Sequence, residues 1–316
     1  MMNTDDGNQT TVREFILLGF RTPPELRILL VPVFLMIYIT TVAGNILIIT
    51  LVMVDWRLHT PMYFFLGNLS CLETCYTSTV LPSMLASLLT EDTTISFSGC
   101  LTQYYFFCSL VATECLLLSV MSYDRYLAIC NPLRYTAHMS GQLYIQLAGG
   151  CWTGGFLCSC VITLSISQLT FCGPNGIDHF FCDLIPLINL SCSNHKVMET
   201  LIFTFSLIFS VFPFLLTLMS YICIIAIILR IPSNTGRQKA FSTCSSHLIV
   251  VTIYYGTLLI IYMFPTTDIL KDLKKVLSVV YTVLTPLVNP LIYSLRNKEV
   301  KEALRKAGRK FVFGQC

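Results

Sequence analysis

Met121-Ser122-Tyr123-Asp124-Arg125-Tyr126-Leu127-Ala128-Ile129-Cys130 closes a hydrophobic run and opens a polar one. Residues 101–123 before it carry a single charge, Glu114. Asn131-Pro132-Leu133-Arg134-Tyr135 follows, and Pro132 disfavours continued helix. An adjacent Asp124-Arg125 pair is costly in hydrocarbon and comfortable at its edge. Two readings are open. The pair is an interfacial anchor that stops an apolar helix, or a local ion pair whose partners separate to meet another protein.

The rest of the chain places that edge in a membrane. Hydrophobic residues make up 54% of the 316 residues and charged residues only 12%, against about 25% charged in soluble proteins. A soluble domain this apolar could not cover its surface. Seven apolar stretches follow one another: 28–54, 61–89, 97–123, 143–165, 200–229, 240–264 and 276–295. Each is long enough to cross the hydrocarbon as a helix, and each is continuous rather than alternating, which argues against strands. Internal prolines such as Pro32, Pro82, Pro213 and Pro286 are tolerated in such helices, where neighbours re-satisfy the freed carbonyls. The expected fold is therefore an all-α integral membrane protein. A tail at 1–27 precedes a seven-transmembrane helix bundle at 28–295, and a basic tail at 296–316 follows it.

Seven spans put the two ends on opposite sides, and basic residues choose which. The connections 54–60, 124–141, 230–239 and 296–316 hold thirteen Lys and Arg, whereas 1–27, 86–96, 166–199 and 265–275 hold seven. The N-terminus is expected outside and the C-terminus in the cytoplasm of a multi-pass plasma-membrane protein. No signal peptide is expected, because the Phe15–Phe20 patch is too short for one. The Asn8-Gln9-Thr10 sequon then falls where glycosylation occurs. Residues 297–309 read as a short cytoplasmic amphipathic helix, with Val300, Ala303 and Leu304 on one side and Lys and Arg on the other. Cys316 is a weak lipidation signal.

Of fifteen cysteines, those within the spans read as small apolar packing residues. Cys100, Cys172, Cys182 and Cys192 all lie on the expected outer side, an oxidising compartment. Four cysteines allow three pairings, which the sequence leaves open. His179-Phe180-Phe181-Cys182-Asp183 reads as a disulfide cysteine among loop polar groups rather than a metal site, since the ligand set is incomplete.

A series of motifs then resembles the odorant (olfactory) receptors of vertebrates, within the rhodopsin-like G-protein-coupled receptors. Gly44-Asn45 lies in the first span. Residues 58–66 (Leu-His-Thr-Pro-Met-Tyr-Phe-Phe-Leu) form the first inner loop, and 121–130 end the third span. Ser220-Tyr221 lies in the fifth. Residues 239–247 (Lys-Ala-Phe-Ser-Thr-Cys-Ser-Ser-His) open the sixth, and 286–293 (Pro-Leu-Val-Asn-Pro-Leu-Ile-Tyr) end the seventh. The resemblance covers nearly the whole chain. It implies the pairings Cys100–Cys182 and Cys172–Cys192. It departs in one place: Glu73 stands where such receptors usually carry Asp. Glu73 and Glu114 would face each other inside the bundle, and two buried carboxylates must share a proton or hold a cation. The resemblance implies a sodium pocket there.

The same resemblance implies a ligand pocket in the outer half of the bundle, lined by Phe107, Cys108, Val111, Ala112, Phe205, Phe209, Leu258, Tyr262, Val279 and Thr282. No acid stands at the third-helix position that binds amines in small-amine receptors, where this chain has Phe107, so a buried ammonium would lack a counter-ion. Small volatile, mostly apolar odorants fit better. Asp124, Arg125, Tyr126, Tyr221, Tyr255, Asn289, Pro290 and Tyr293 are the expected activation switch. Opening of the inner end would offer Arg125 to a stimulatory olfactory-type G protein, raising cAMP. The basic inner face favours an acidic partner or anionic membrane lipid, and no nucleic acid is expected. A transporter would call for internal repeats and a polar path. An enzyme would need a convergent nucleophile–base set or metal ligands. Neither pattern is present in the sequence.

Overall fold

A computed structural model describes residues 13–19, 23–90, 92–171, 174–192, 196–263, 268–296 and 298–313. Asn8 and Cys172 lie outside them.

The apolar stretches are helices: α1 Pro24–Val54, α2 Pro61–Thr90, α3 Phe97–Cys130, α4 Gly141–Ser167, α5 Lys196–Arg230 and α6 Asn234–Met263. The seventh, α7, runs through Asp268–Val279, Val280–Leu284 and Thr285–Arg296, and α8 is Lys298–Phe313. Among the described residues, six helices are long and apolar enough to cross a membrane. The exception is α2, 30 residues long but enriched in polar side chains. Its polarity has a structural cause. Ser70, Glu73 and Thr77 are buried, because α2 packs against α1 and α3 in the interior of the bundle. Against lipid, α1 instead exposes Ile28, Leu29, Met36 and Ile39, as a helix apolar on every side does in a membrane.

Two local widenings were not legible as such. Leu207–Val211 in α5 and Val280–Leu284 in α7 are π-helical. Each directly precedes a proline one residue on, at Pro213 and Pro286. Proline has no N–H for the carbonyl four residues earlier. The chain widens instead, and the Phe212 and Thr285 N–H groups reach back five residues to the Leu207 and Val280 carbonyls.

α3 is the central helix, contacting α2, α4, α5 and α6. It comes close to α4 at Gly155, where a Cβ would stand 2.3 Å from Thr113 Oγ1 and 2.8 Å from the Ser109 carbonyl. Small residues permit this backbone approach, the usual basis of helix packing in membranes.

The tail expected over 1–27 is partly structured. β1 (Glu14–Leu17) pairs antiparallel with β2 (Thr94–Ser96) and parallel with β3 (Gly176–Ile177). Its alternation sends Phe15 and Leu17 inward. There Phe15 meets Phe171 edge-on at 5.4 Å and Phe97 at 6.0 Å. This small sheet marks one end of the bundle, called the strand end below. The Asp124-Arg125 pair marks the other.

α8 runs Lys298–Phe313 rather than stopping near 309. It buries Val300 and Ala303. Tyr63 donates a hydrogen bond to Glu299, and Lys306 lies 3.7 Å from Asp55. The helix thus docks on the turn between α1 and α2.

Candidate functional site: a cavity at the strand end

The roof of the cavity is the segment between α4 and α5. A disulfide joins Cys182 to Cys100 near the start of α3. The Cys182 N–H donates to Gln103 Oε1 at 3.0 Å, and Gln103 Nε2 donates to the Thr79 carbonyl at 3.2 Å. Phe181 descends onto Phe107, ring to ring at 4.6 Å, and Phe107 stacks on Tyr76 at 5.4 Å. Cys192 is also disulfide-bonded, and Phe171 and Ser191, next to positions 172 and 192, form a bridge.

Below this roof lies a cavity of about 740 Å³, part of it open to solvent. Tyr104, Phe107, Cys108 and Val111 of α3 form one wall. Ile202, Phe205, Ser206 and Ser210 of α5 face them, Tyr255, Leu258 and Leu259 come from α6, and Asp183 and Leu184 from the roof. The lining is mainly apolar and aromatic with a few polar groups, as in small-molecule sites generally.

Of the ten residues expected to line a ligand pocket, Phe107, Cys108, Val111, Phe205 and Leu258 do. Four others are placed elsewhere. Ala112 is one residue past Val111, about 100° further round the helix, and is buried against neighbours. Phe209 falls inside the π-helical turn and stacks on Phe205 at 4.8 Å. Thr282 donates to the Ser278 carbonyl of its own helix at 2.6 Å. Val279 packs against the main core. α7 instead presents Tyr281 to Phe107, at 6.1 Å. The Tyr262 side chain lies outside the described ones. Sequence reasoning missed Ser206, Ser210 and Asp183, the polar members of the lining. It assigned Tyr255 to the switch, yet Tyr255 also lines the cavity while donating to the Cys115 carbonyl at 2.8 Å.

With this geometry in place, comparison with known proteins is decisive. The family model described as "Olfactory receptor" matches residues 34–310. Human olfactory receptor 11L1 is 52% identical over 303 residues, 96% of this chain and 94% of the relative. Human olfactory receptor 6P1 is 49% identical over 316 residues, 100% and 98%. Mouse olfactory receptor 5M5 is 49% identical over 312 residues, 98% and 97%.

The chain belongs to the olfactory receptor family.

It is therefore a seven-helix G-protein-coupled receptor of the plasma membrane that senses odorants, in a family of receptors rather than enzymes. At the Asp124 end of the receptor, Arg125 Nη2 pairs with Asp124 Oδ2 at 2.8 Å, and the Tyr135 hydroxyl donates to Asp124 Oδ1 at 2.7 Å. Asp124 is fully buried. Tyr126 packs against the neighbouring cluster of Tyr221, Ile224, Ile228 and Cys244. Tyr221 meets His247 on α6, its hydroxyl 2.6 Å from Nδ1. The Tyr293 hydroxyl is buried without a hydrogen-bond partner among the described residues. Tyr135 and His247 were missing from the expected switch, although His247 closes one of the motifs that carry the family resemblance and Tyr135 follows another by five residues.

Between the two ends, Asn289 of α7 donates to Glu73 Oε1, and Glu114 of α3 lies within electrostatic reach of Glu73. Both carboxylates are buried. Asn45 donates to the Pro286 carbonyl at 3.3 Å, and Pro290 packs 3.4 Å from the Cβ position of Gly44. Asn289 and Pro290 thus tie α7 to α1 and α2.

His179 sits in the roof, outside the spans. Its Nε2 is 3.3 Å from Ser278 Oγ, and its ring packs on Phe180 and Phe181, each at 4.5 Å. Lys275 beside it pairs with Asp178 at 2.5 Å. Burial, and then the nearby Lys275 ammonium, hold the imidazole down at about 3. The folded roof therefore keeps His179 neutral where an unfolded His takes a proton near pH ~6.5. Stability contributed by the neutral ring is present above that pH and is lost progressively as pH falls from ~6.5 towards 3. The thermal midpoint of purified receptor is expected to fall on acidification across that window. The fall should be smaller in His179→Phe, which keeps the ring packing; equal slopes would contradict this assignment.

Proposed function

We propose that the receptor binds small volatile, mostly apolar odorants in the strand-end cavity and activates a stimulatory olfactory-type G protein, raising cAMP. The observation that carries this reading is the mainly apolar cavity between α3, α5 and α6, with the Asp124–Arg125 pair closed at the far end of the same α3. One helix lines the ligand site and bears the residue that would meet the partner. The strand end faces outside and the Asp124 end faces the cytoplasm, in keeping with the excess of basic residues in the connections on that side. Asn8 is then on the outside, and the exposed Lys301, Arg305 and Lys306 of α8 lie against anionic lipid.

A ligand shifts a two-state equilibrium only through differential affinity. Tyr255 supplies the connection: its ring lines the cavity and its hydroxyl holds α6 to the Cys115 carbonyl of α3. A ligand that displaces this ring loosens α6 from α3. Outward motion of α6 carries His247 away from Tyr221 and exposes Arg125. The carboxylates of Glu73 and Glu114 oppose the change by sharing a proton or holding sodium, which ties α2, α3 and α7 together.

The test is a cAMP assay in cells supplied with the olfactory-type stimulatory G protein, screening volatile odorants against the parent and Val111→Trp. Tryptophan at 111 fills the cavity. Every parent response should be lost in that variant at equal surface density. Responses of unchanged potency would place the ligand elsewhere.

A further inference from the structure

Asp183 alters the chemistry expected of the cavity. Among the described lining residues it is the one with a formal charge, and it is 4% exposed. Its position is fixed from two sides. The preceding Cys182 is tied to α3 through the disulfide, and Asp183 Oδ1 accepts from the Leu184 N–H at 2.8 Å, capping the helix Leu184–Asn189. Asp183 also lines a second, outer cavity of about 830 Å³, part of it open to solvent, shared with Lys274, His179 and Ser278. Asp183 thus stands in the wall between the two.

We propose that Asp183 is a specificity-determining residue whose carboxylate accepts a hydrogen bond from the hydroxyl of an uncharged ligand, so that the receptor selects alcohols over carbonyl compounds of the same length. The inference rests on the odorant-cavity reading above and adds the ligand class to it. A carboxylate accepts hydrogen bonds and donates none when ionised. It rewards an O–H and repels the oxygen of a ketone. Hydrogen bonds to charged acceptors are the stronger kind. A cationic amine is disfavoured despite the acid. Lys274 lies within electrostatic reach of Asp183 and already opposes its charge, so an ammonium would be buried beside a lysine without a counter-charge of its own.

The experiment measures thermal stabilisation of purified receptor, with no G protein present. The probes are octanol against methyl hexyl ketone, decanol against methyl octyl ketone, and octylamine. In the parent, the alcohol of a pair should act at roughly tenfold lower concentration than its ketone. Asp183→Asn keeps a good helix cap and puts an amide donor in place of a carboxylate oxygen, so the preference should vanish or reverse. No alcohol preference in either pair, a preference retained in Asp183→Asn, or octylamine binding more tightly than octanol would each overturn the inference. Val111→Trp separates this from the underlying reading. If it removes binding of both classes while the parent shows no alcohol preference, the cavity reading stands and Asp183 falls. If binding survives it unchanged, both fall.

Discussion

Asp124→Ala is expected to raise basal cAMP several-fold at equal surface density. Asp124 is fully buried and accepts from both Arg125 and Tyr135. Removing one partner of a fully buried ion pair costs about 3–5 kcal/mol. The cost here is smaller, because the Arg125 side chain keeps 13% of its exposure. The lost energy belongs to the closed arrangement alone, so the equilibrium shifts towards the open one, by tenfold for every ~1.4 kcal/mol. Tyr135→Phe removes one charge-assisted hydrogen bond, worth roughly 1.5–3 kcal/mol, and should give a smaller rise in the same direction. Basal signalling unchanged in both variants would mean that the pair only anchors the end of α3 at the membrane edge.

Cys100→Ser is expected to lower stability by roughly 2–5 kcal/mol, enough to remove most receptor from the cell surface. The bond spans 82 residues of sequence, and constraint on the unfolded chain grows with loop length. Its loss also frees the roof, since Asp183 and Leu184 follow directly on Cys182 and line the cavity. Surface labelling and the thermal midpoint of purified receptor measure the effect. Cys115→Ser, at a buried free thiol, is the comparison and should cost less. Equal losses in the two variants would show that the disulfide adds nothing beyond ordinary packing.

Much of the fold was legible because membrane helices are written in composition. Six of the seven spans stand out by hydropathy alone. The seventh, α2, is legible by length, and its buried Ser70, Glu73 and Thr77 lower its hydropathy because they face protein rather than lipid. The strand made by residues 14–17 was not legible. Four residues of alternation are too short to distinguish from an apolar patch, and their partners at 94–96 and 176–177 are remote in sequence.

The cavity was legible where it depends on α3. A regular helix puts Phe107, Cys108 and Val111 on one side, and the structure finds them there. It was legible on α5 at Phe205 but not at Phe209 or, on α7, at Thr282, which lie inside the π-helical turns before Pro213 and Pro286. The prolines were visible, but whether a helix kinks, widens or simply loses a hydrogen bond at proline depends on its neighbours. Asp183 was missed for a different reason. Nothing in a loop sequence says which of its side chains will turn into the bundle.

The most direct test of the account compares the parent with Arg125→Ala in the cAMP assay, using any odorant that activates the parent. Surface density and odorant-dependent stabilisation of purified receptor are measured for both. The account predicts that Arg125→Ala reaches the surface and is stabilised by the odorant as the parent is, yet gives no rise in cAMP. An equal cAMP response in both would contradict it, because the cavity would then signal without the arginine that the bundle holds closed.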